Sequence, residues 1–205
     1  MKKLLPLLSL LFLCLSGLTP LVRAQSETAQ EPLASAANNF LDRFDLTFTL
    51  DNACDARTLR FNRLNPAATA GMRGDTAIIN GKLFTGGIIP SGFDRAFDLD
   101  ANTPNSLGTW RCIQTLLNDP APGNTELPLT GAVMYYFDLQ DGALMVQGLS
   151  SHRASGSVPR VHALIGGTGI YKGASGEVHE EVIGNNNTGA FNLRFTFRIK
   201  KQSLK

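Results

Sequence analysis

The sequence has little net charge and no stripe of positive charge. Its 205 residues carry 19 Lys and Arg against 17 Asp and Glu, a formal net charge of +2. Three of the cations, Lys2, Lys3 and Arg23, lie in an N-terminal segment that we expect to be removed, which would leave a net charge of −1. Nucleic-acid binding requires clustered Lys and Arg to neutralise phosphates, so we expect no nucleic-acid partner.

Long hydrophobic runs are also scarce, since only one occurs. It extends from Leu4 to Val22, follows two lysines, and ends at Ala24 with small residues at the positions that a signal peptidase reads. This pattern predicts a signal peptide at 1–24 and a secreted or periplasmic mature chain that begins at Gln25. No other segment is long and apolar enough to span a bilayer, so no membrane span is expected after cleavage.

Cysteine is rare, with three in the chain. Cys14 would leave with the signal peptide, so Cys54 and Cys112 would remain. An oxidising compartment would allow these two to form a disulfide, and two buried free thiols are the alternative. The sequence leaves both possibilities open.

Closely spaced histidines are missing, which argues against a metal centre. The chain has His152, His162 and His179, and no two of them have the HxH or HxxxH spacing that would support a cluster of ligands. We therefore predict no metal and no cofactor.

Amphipathic helices are absent too, and the dominant pattern is strict alternation. Residues 25–39 are small and polar and predict a flexible linker, whereas 40–205 predict one domain. In "AFNLRFTFRIK", apolar and polar side chains alternate as in a half-buried strand. The apolar face of this strand comprises Phe191, Leu193, Phe195, Phe197 and Ile199.

The same period recurs along the domain and predicts eight or nine short strands. They are "RFDLTFTL", "TLRFNRL", "TAIINGKLF", "TWRCIQTLL", "AVMYYFDL", "ALMVQGL", "RVHALIG", "GEVHEEVIG" and the terminal strand. Turns are expected at Asp51-Asn52, Asn80-Gly81, Asp119-Pro120, Asp141-Gly142 and Asn185 to Asn187. So many short strands indicate an all-β, antiparallel barrel or sandwich.

A glycine-rich stretch, "VHALIGGTGIYKGASGEV" at 161–178, superficially resembles a dinucleotide-binding loop. Such a loop needs a helix after its last glycine and further βαβ units, but here an alternating strand follows. The stretch is better interpreted as a corner between two strands, where glycines allow positive φ and close backbone approach. The glycines of this predicted turn are Gly166, Gly167, Gly169, Gly173 and Gly176.

At this point the sequence resembles the allene oxide cyclase barrel superfamily, which includes the dirigent proteins. The resemblance is carried by "ALIGGTGIYKGASGEV" and, in the same order, by "RGDTAIINGKLF", "LGTWRC", "YYFDLQDGALMVQGL" and "FNLRFTFRI". It covers about residues 44–200. It implies an eight-stranded antiparallel β-barrel with a hydrophobic lumen, which assembles into a homo-oligomer, a trimer or a dimer.

The resemblance also suggests where chemistry would lie. The position of the lumenal acid of the cyclases matches Thr49, whose hydroxyl cannot supply the same charge stabilisation, so a jasmonate-type cyclase is disfavoured. Of the two aspartates used by some dirigent proteins, one matches Asp51 and the other falls near Ser150. Asp51 is therefore a catalytic candidate together with Tyr135, and an ordinary turn residue is the alternative for Asp51.

Four further residues are candidate ligand contacts in or near the lumen: Tyr136, Gln147, Arg153 and His162. Arg160 or Arg153 beside His162 at the mouth of the barrel would suit an acidic or phenolic ligand. Three function classes follow: an exported barrel that binds an apolar or phenolic small molecule, an isomerase or dirigent-like enzyme, and a structural oligomer with a filled lumen.

Overall fold

The computed structural model describes residues 46–67, 71–119, 129–152 and 159–200, all of them within the compact unit Asp42–Lys205. The predicted signal peptide at 1–24 and linker at 25–39 lie outside the described residues and stay predictions. The predicted ligand contact Arg153 also lies outside them. Among the described residues, no helix has the length and hydropathy needed to cross a membrane.

The described residues form nine β-strands, one short α-helix and two single-turn 3₁₀ helices. The strands are β1 (Leu46–Asn62), β2 (Thr76–Thr85), β3 (Gly92–Phe97), β4 (Gly108–Leu116), β5 (Leu129–Leu139), β6 (Gly142–His152), β7 (Arg160–Gly167), β8 (Ser175–Asn186) and β9 (Phe191–Lys200). Helix α1 is Leu99–Asn102, and the 3₁₀ turns are Thr103–Asn105 and Gly169–Tyr171.

Eight of these strands close into an antiparallel barrel, in the order β1-β2-β4-β5-β6-β7-β8-β9, with β9 pairing back onto β1. Closure leaves none of the eight with an unpaired edge, which is how such barrels protect their backbone groups. The predicted fold class is therefore confirmed.

Alternation decides which side chains enter the lumen. On β9, Leu193, Phe195, Phe197 and Ile199 join the main buried cluster, while Arg194 and Arg198 lie on the other face. The interior of an eight-stranded barrel is only wide enough for side chains or one small ligand. The inward-facing residues of β9 therefore form a large part of the core. The apolar face of β9 therefore points into the lumen.

Two predicted turns are wrong. Asp51-Asn52 lies inside β1, which runs without a break to Asn62 across an irregularity between Asp55 and Arg60, and Asn80-Gly81 lies inside β2. Pairing with strands on both sides satisfies the backbone at these positions, so tertiary context overrides the turn preference of Asn, Asp and Gly. The Asp141-Gly142 hairpin between β5 and β6 is confirmed.

Strand β3, which the sequence pattern did not predict, covers part of the outer face of the barrel. It pairs in parallel with the end of β8 and leads into α1. A second, smaller buried cluster lies beneath it, made of Ala53, Phe84, Ile89, Phe97, Leu99 and Ile183. The outward side of β1 is consequently buried at Asp51 and Ala53, in the middle of the strand.

The glycine-rich stretch connects β7 to β8 through the 3₁₀ turn Gly169–Tyr171. This turn packs on the β5–β6 hairpin, where the Ile170 amide donates to the Asp141 carbonyl over 3.0 Å. Gly169 has φ +60°, and a Cβ there would overlap the backbone of Asp141. The chain therefore needs a glycine at this close approach.

The lumen has two chemically different ends. The end that we call the apolar end is filled by side chains such as Phe48, Phe137, Leu144, Phe197 and Ile199. The end that we call the polar end holds Gln114, Tyr135, Ser150, His162 and Glu180, all of them buried.

Candidate functional site

The centre of the polar end is the carboxylate of Glu180 on β8. The Tyr135 hydroxyl of β5 donates to Glu180 Oε2 over 2.6 Å, and His162 Nε2 of β7 lies 2.8 Å from the same oxygen. Tyr135 and His162 are each 2% exposed, and Glu180 is 4% exposed. Strands β5 and β7 thus each bring one titratable group to the same oxygen of Glu180 inside the barrel.

The hydrogen-bond pattern assigns the tautomer of His162. An ionised carboxylate can only accept, so with Glu180 ionised the proton of this hydrogen bond lies on His162 Nε2. In a neutral imidazole the other nitrogen, Nδ1, then has a free lone pair. The lumen therefore contains a buried basic nitrogen whose ring is oriented by a carboxylate.

Burial and the charge of Glu180 hold neighbouring acids in their protonated forms. Desolvation is the main cause that raises the pKa of Tyr135 well above its ordinary value, and the Glu180 charge acts in the same direction. A hydrogen bond with Ser150 acts in the opposite direction. The same two causes raise the pKa of Cys112 to about 12. Tyr135 and Cys112 are accordingly neutral at physiological pH.

His162 Nδ1 and Gln114 Nε2, both buried at this end, have no hydrogen-bond partner within the described part of the chain. Each lies over a glycine of the lumen wall. A Cβ at Gly148 would overlap His162 Nδ1, and a Cβ at Gly131 would overlap Gln114 Nε2. These glycines make room for the two polar groups. Buried polar atoms almost always have a hydrogen-bond partner, so two without one in the same place call for an explanation.

Two of the residues predicted from the sequence, Tyr135 and His162, come together at Glu180. Arg160, considered as the arginine beside His162, is half-buried and lies opposite Glu180 in the β7–β8 register. Ser150 is buried beside Tyr135. The polar end therefore collects residues that the sequence analysis proposed separately.

Tyr136 and Gln147 lie elsewhere, on the outward face of β5 and β6. Gln147 is exposed, and the Tyr136 hydroxyl donates to Met134 Sδ over 2.7 Å. Tyr136 lines an outer cleft of about 520 Å³ together with Asn80, Lys82, Arg111 and Asp138, among others. The structure does not bring these two residues to Glu180.

Asp51 is also turned away from the lumen. It accepts from the backbone amides of Gly87 and Ile89 over 2.8 and 3.0 Å, and Arg194 Nε donates to it over 2.8 Å. This arrangement fastens the loop after β2 to the barrel wall. Thr49, two residues earlier on β1, shares this outward face. The position of Asp51 supports a structural role, because all of these partners belong to the protein itself.

Cys54 and Cys112 are both buried and both free. They face the lumen from β1 and β4, which are separated by β2. The Cys54 Sγ accepts from Asn52 Nδ2 over 3.2 Å, and burial raises its pKa well above the ordinary value. The disulfide considered from the sequence is thus absent from the structure.

The described histidines do not form a metal site. Across the ranges that the structure describes, no group of three His, Cys, Asp or Glu side chains could hold an ion. His179 faces outward from β8, with Nε2 3.8 Å from Glu177, whereas His162 faces inward from β7. The side chain of His152 lies outside what the structure describes.

Glu180 was missed by the sequence analysis, although a signal for it exists. In "EVHEEV" the residues Val178, Glu180 and Val182 share one face, and the two valines contribute to the buried core. Alternation alone would therefore have placed Glu180 inside. A glutamate between a buried and a half-buried valine of the core is a candidate functional acid, because an unpaired charge is rarely buried.

No protein-family model and no curated protein matches the sequence. A solved pterocarpan synthase dirigent protein matches the structure with a TM-score of 0.52 and 14% identity, over 78% of this chain and 95% of that chain. A nonspecific heme-binding cyclase that catalyses a 4 + 2 cycloaddition during neoabyssomicin biosynthesis matches with a TM-score of 0.51 and 14% identity, over 87% and 83%. The barrel fold shared with dirigent proteins and cyclases, as the resemblance implied, is confirmed.

Proposed function

We propose that the polar end of the lumen binds a small apolar or phenolic molecule and transfers a proton on it, in the manner of a barrel cyclase or isomerase. The observation that carries the proposal is the shared oxygen, Glu180 Oε2, which Tyr135 and His162 both contact inside an otherwise apolar barrel. Burying such groups costs free energy, and clusters of this kind are typical of functional sites. The fold shared with a dirigent protein and a cyclase supports the same class.

We assign a role to each group from its contacts. His162 Nδ1 is the base that accepts the hydroxyl proton of the bound molecule, because its lone pair is buried and unpaired within the described residues. Glu180 orients the ring through Nε2 and stabilises the imidazolium that forms. Tyr135, kept neutral by its raised pKa, holds the carboxylate in place. The O–H bond of the hydroxyl breaks and a C–H bond forms when the proton returns to a carbon conjugated with that oxygen, so the isomerisation is redox-neutral and requires no oxidant.

The test starts from native mass spectrometry of the protein purified from its source, followed by solvent extraction of anything that it carries. We expect one apolar or phenolic molecule per chain. Incubated in D₂O with that molecule, the wild-type protein should introduce carbon-bound deuterium, and Glu180→Gln should slow this exchange by about 100-fold. Glu181→Gln is the matched control, since Glu181 is exposed on the outer face.

Two results would contradict the proposal. One is a protein that is recovered empty and binds no phenol in calorimetry. The other is deuterium exchange that Glu180→Gln leaves unchanged. A bound molecule without any exchange would instead support a binding protein that performs no chemistry.

A second candidate function is a structural barrel with a filled lumen. It is favoured by the apolar end, where the Phe48 and Phe197 rings stack at 4.8 Å and Phe137 packs edge-on against Phe197 at 4.9 Å. An empty protein with no affinity for phenols would favour this candidate over the first.

We also propose that the protein is exported and forms a homo-oligomer, a dimer or a trimer. Export is supported by the signal-like residues 1–24. Assembly is supported by exposed apolar side chains on the outer faces of β6 and β7, namely Leu149, Val161 and Ile165. Native mass spectrometry of the same preparation gives the mass of the chain, which should correspond to a start at Gln25. The mass of the assembly gives the number of copies.

A further inference from the structure

Two atoms without a partner among the described residues, Gln114 Nε2 and His162 Nδ1, indicate what a ligand should offer. Gln114 Nε2 is a donor, and His162 Nδ1 is an acceptor in the tautomer that Glu180 imposes. Both residues are buried, at 8% and 2% exposed. A buried donor and a buried acceptor left without partners each cost free energy, which a ligand that pairs with both would recover.

The register of the strands places these two atoms on one patch of the lumen wall. Gln114 of β4 lies opposite Val133 of β5, which in turn lies opposite Gly148 of β6, the glycine beneath the His162 ring. Gly131, beneath the Gln114 amide, lies opposite Ser150. The two glycines are thus diagonal neighbours on adjacent strands, whose Cβ positions are of the order of 7 Å apart.

A separation of this order fits one small molecule with two oxygen functions. The acceptor nitrogen requires a hydroxyl on the ligand, and the donor amide requires a carbonyl oxygen. Aromatic rings line the neighbouring lumen, since Trp110 and Phe195 lie 5.3 and 5.6 Å from Tyr135 between ring centroids. Such walls favour a flat aromatic body by stacking and edge-to-face contact.

We propose that the lumenal site takes a hydroxyaryl ketone, whose hydroxyl bonds His162 Nδ1 and whose carbonyl accepts from Gln114 Nε2. This inference rests on the proposed function and narrows its ligand from apolar or phenolic molecules to those that carry both groups. Gln114 is a specificity-determining residue in this arrangement, while His162 also performs the proton transfer.

Calorimetry with three matched probes tests the inference on the full chain. 3-Hydroxyacetophenone carries both groups, 3-ethylphenol lacks the carbonyl and acetophenone lacks the hydroxyl. We expect the wild-type protein to bind 3-hydroxyacetophenone roughly tenfold more tightly than either comparator, which is the effect of one net hydrogen bond. Gln114→Met, which keeps the volume and removes the amide, should abolish the advantage over 3-ethylphenol.

The matched control is Gln147→Met, the same substitution at an exposed position on the outer face of β6. It should leave all three affinities unchanged. If 3-ethylphenol and 3-hydroxyacetophenone bind equally well and Gln114→Met alters neither, the inference fails while lumenal phenol binding stands. If none of the three binds the wild-type protein, the proposed function fails with it.

A second measurement does not depend on a variant. In protein labelled with ¹⁵N-histidine, 3-hydroxyacetophenone should shift the Nδ1 resonance of His162, because this nitrogen gains a hydrogen bond. Acetophenone, which has no hydroxyl, should leave the resonance in place. Equal shifts with the two ketones would overturn the assignment of the hydroxyl to Nδ1.

Discussion

The two ends of the lumen differ in what they bury: one end packs aromatic rings together, and the other holds polar groups. At the apolar end, Phe137 is fully buried and meets Phe195 and Phe197 edge-on at 5.0 and 4.9 Å. At the polar end, Tyr135 of the same strand β5 donates to Glu180 of β8, and buried polar atoms have no partner among the described residues. The difference indicates that packing at one end offsets the free-energy cost of a preorganised site at the other.

The largest effect is expected from an aromatic residue of the apolar end. Phe137→Ala should lower the free energy of unfolding by about 3–5 kcal/mol, because it removes a buried ring and leaves a cavity among its aromatic neighbours. Urea unfolding followed by circular dichroism measures the change. A loss below 1 kcal/mol would show that the apolar end does not provide the main packing.

The next effect concerns the space beneath His162. Gly148→Ala should cost about 1–3 kcal/mol, because the added methyl group overlaps the buried imidazole. Gly166→Ala is the control, since a Cβ there would meet only the flexible end of Met145 at 3.4 Å. Equal unfolding free energies for the two variants would contradict the tight fit of His162 on the wall.

A smaller effect should appear as a dependence on pH. The Cys112 pKa is about 12 in the folded protein against 9.0 for an unperturbed thiol. As the pH rises above 9, the unfolded chain loses this proton and the folded chain keeps it, so stability falls. Between pH 8 and 10 the contribution is about 1 kcal/mol.

Cys112→Ala should remove that share of the pH dependence. Urea unfolding at pH 8, 9 and 10 gives the slope, which is a better measure than the absolute stability because the substitution also leaves a small cavity. Cys54 remains as the second buried thiol and keeps its own part of the slope. An unchanged slope would mean that Cys112 is not shielded from solvent.

The smallest effect is expected at the unpaired amide. Gln114→Met should leave the free energy of unfolding unchanged or raise it by up to about 1 kcal/mol, because a buried donor without a partner is replaced by an apolar group of similar size. Urea unfolding beside wild-type protein measures the difference. A clear loss of stability would show that Gln114 contributes to the fold rather than to binding.

Much of the fold was predictable because alternation is a local property. The pattern of β9 identified its buried face, and Asp141-Gly142 identified a hairpin, without reference to the rest of the chain. The turns at Asp51 and Asn80 failed because the partner strands that override turn preference are distant in sequence. Strand β3 was missed because its exposed residues show no alternation.

The site was predictable only in part. Tyr135 and His162 were identified singly. Their contact with Glu180 depends on closure of the barrel, which places β5 and β8 across the lumen from each other. Local patterns carry no information on such a distance. Asp51 illustrates the same limit, since a carboxylate in a strand gives no sign of which loop will cover it.

The seam between β1 and β9 has a consequence for how the protein folds. It joins the first and last strands of the barrel, and its Asp51–Arg194 ion pair links residues 143 positions apart. Contacts between such distant segments cost much loop-closure entropy and slow folding. The barrel cannot close until β9 is available to pair with β1, so every earlier intermediate exposes an open edge at β1. Closure of the seam therefore sets the time for which the chain is vulnerable to aggregation.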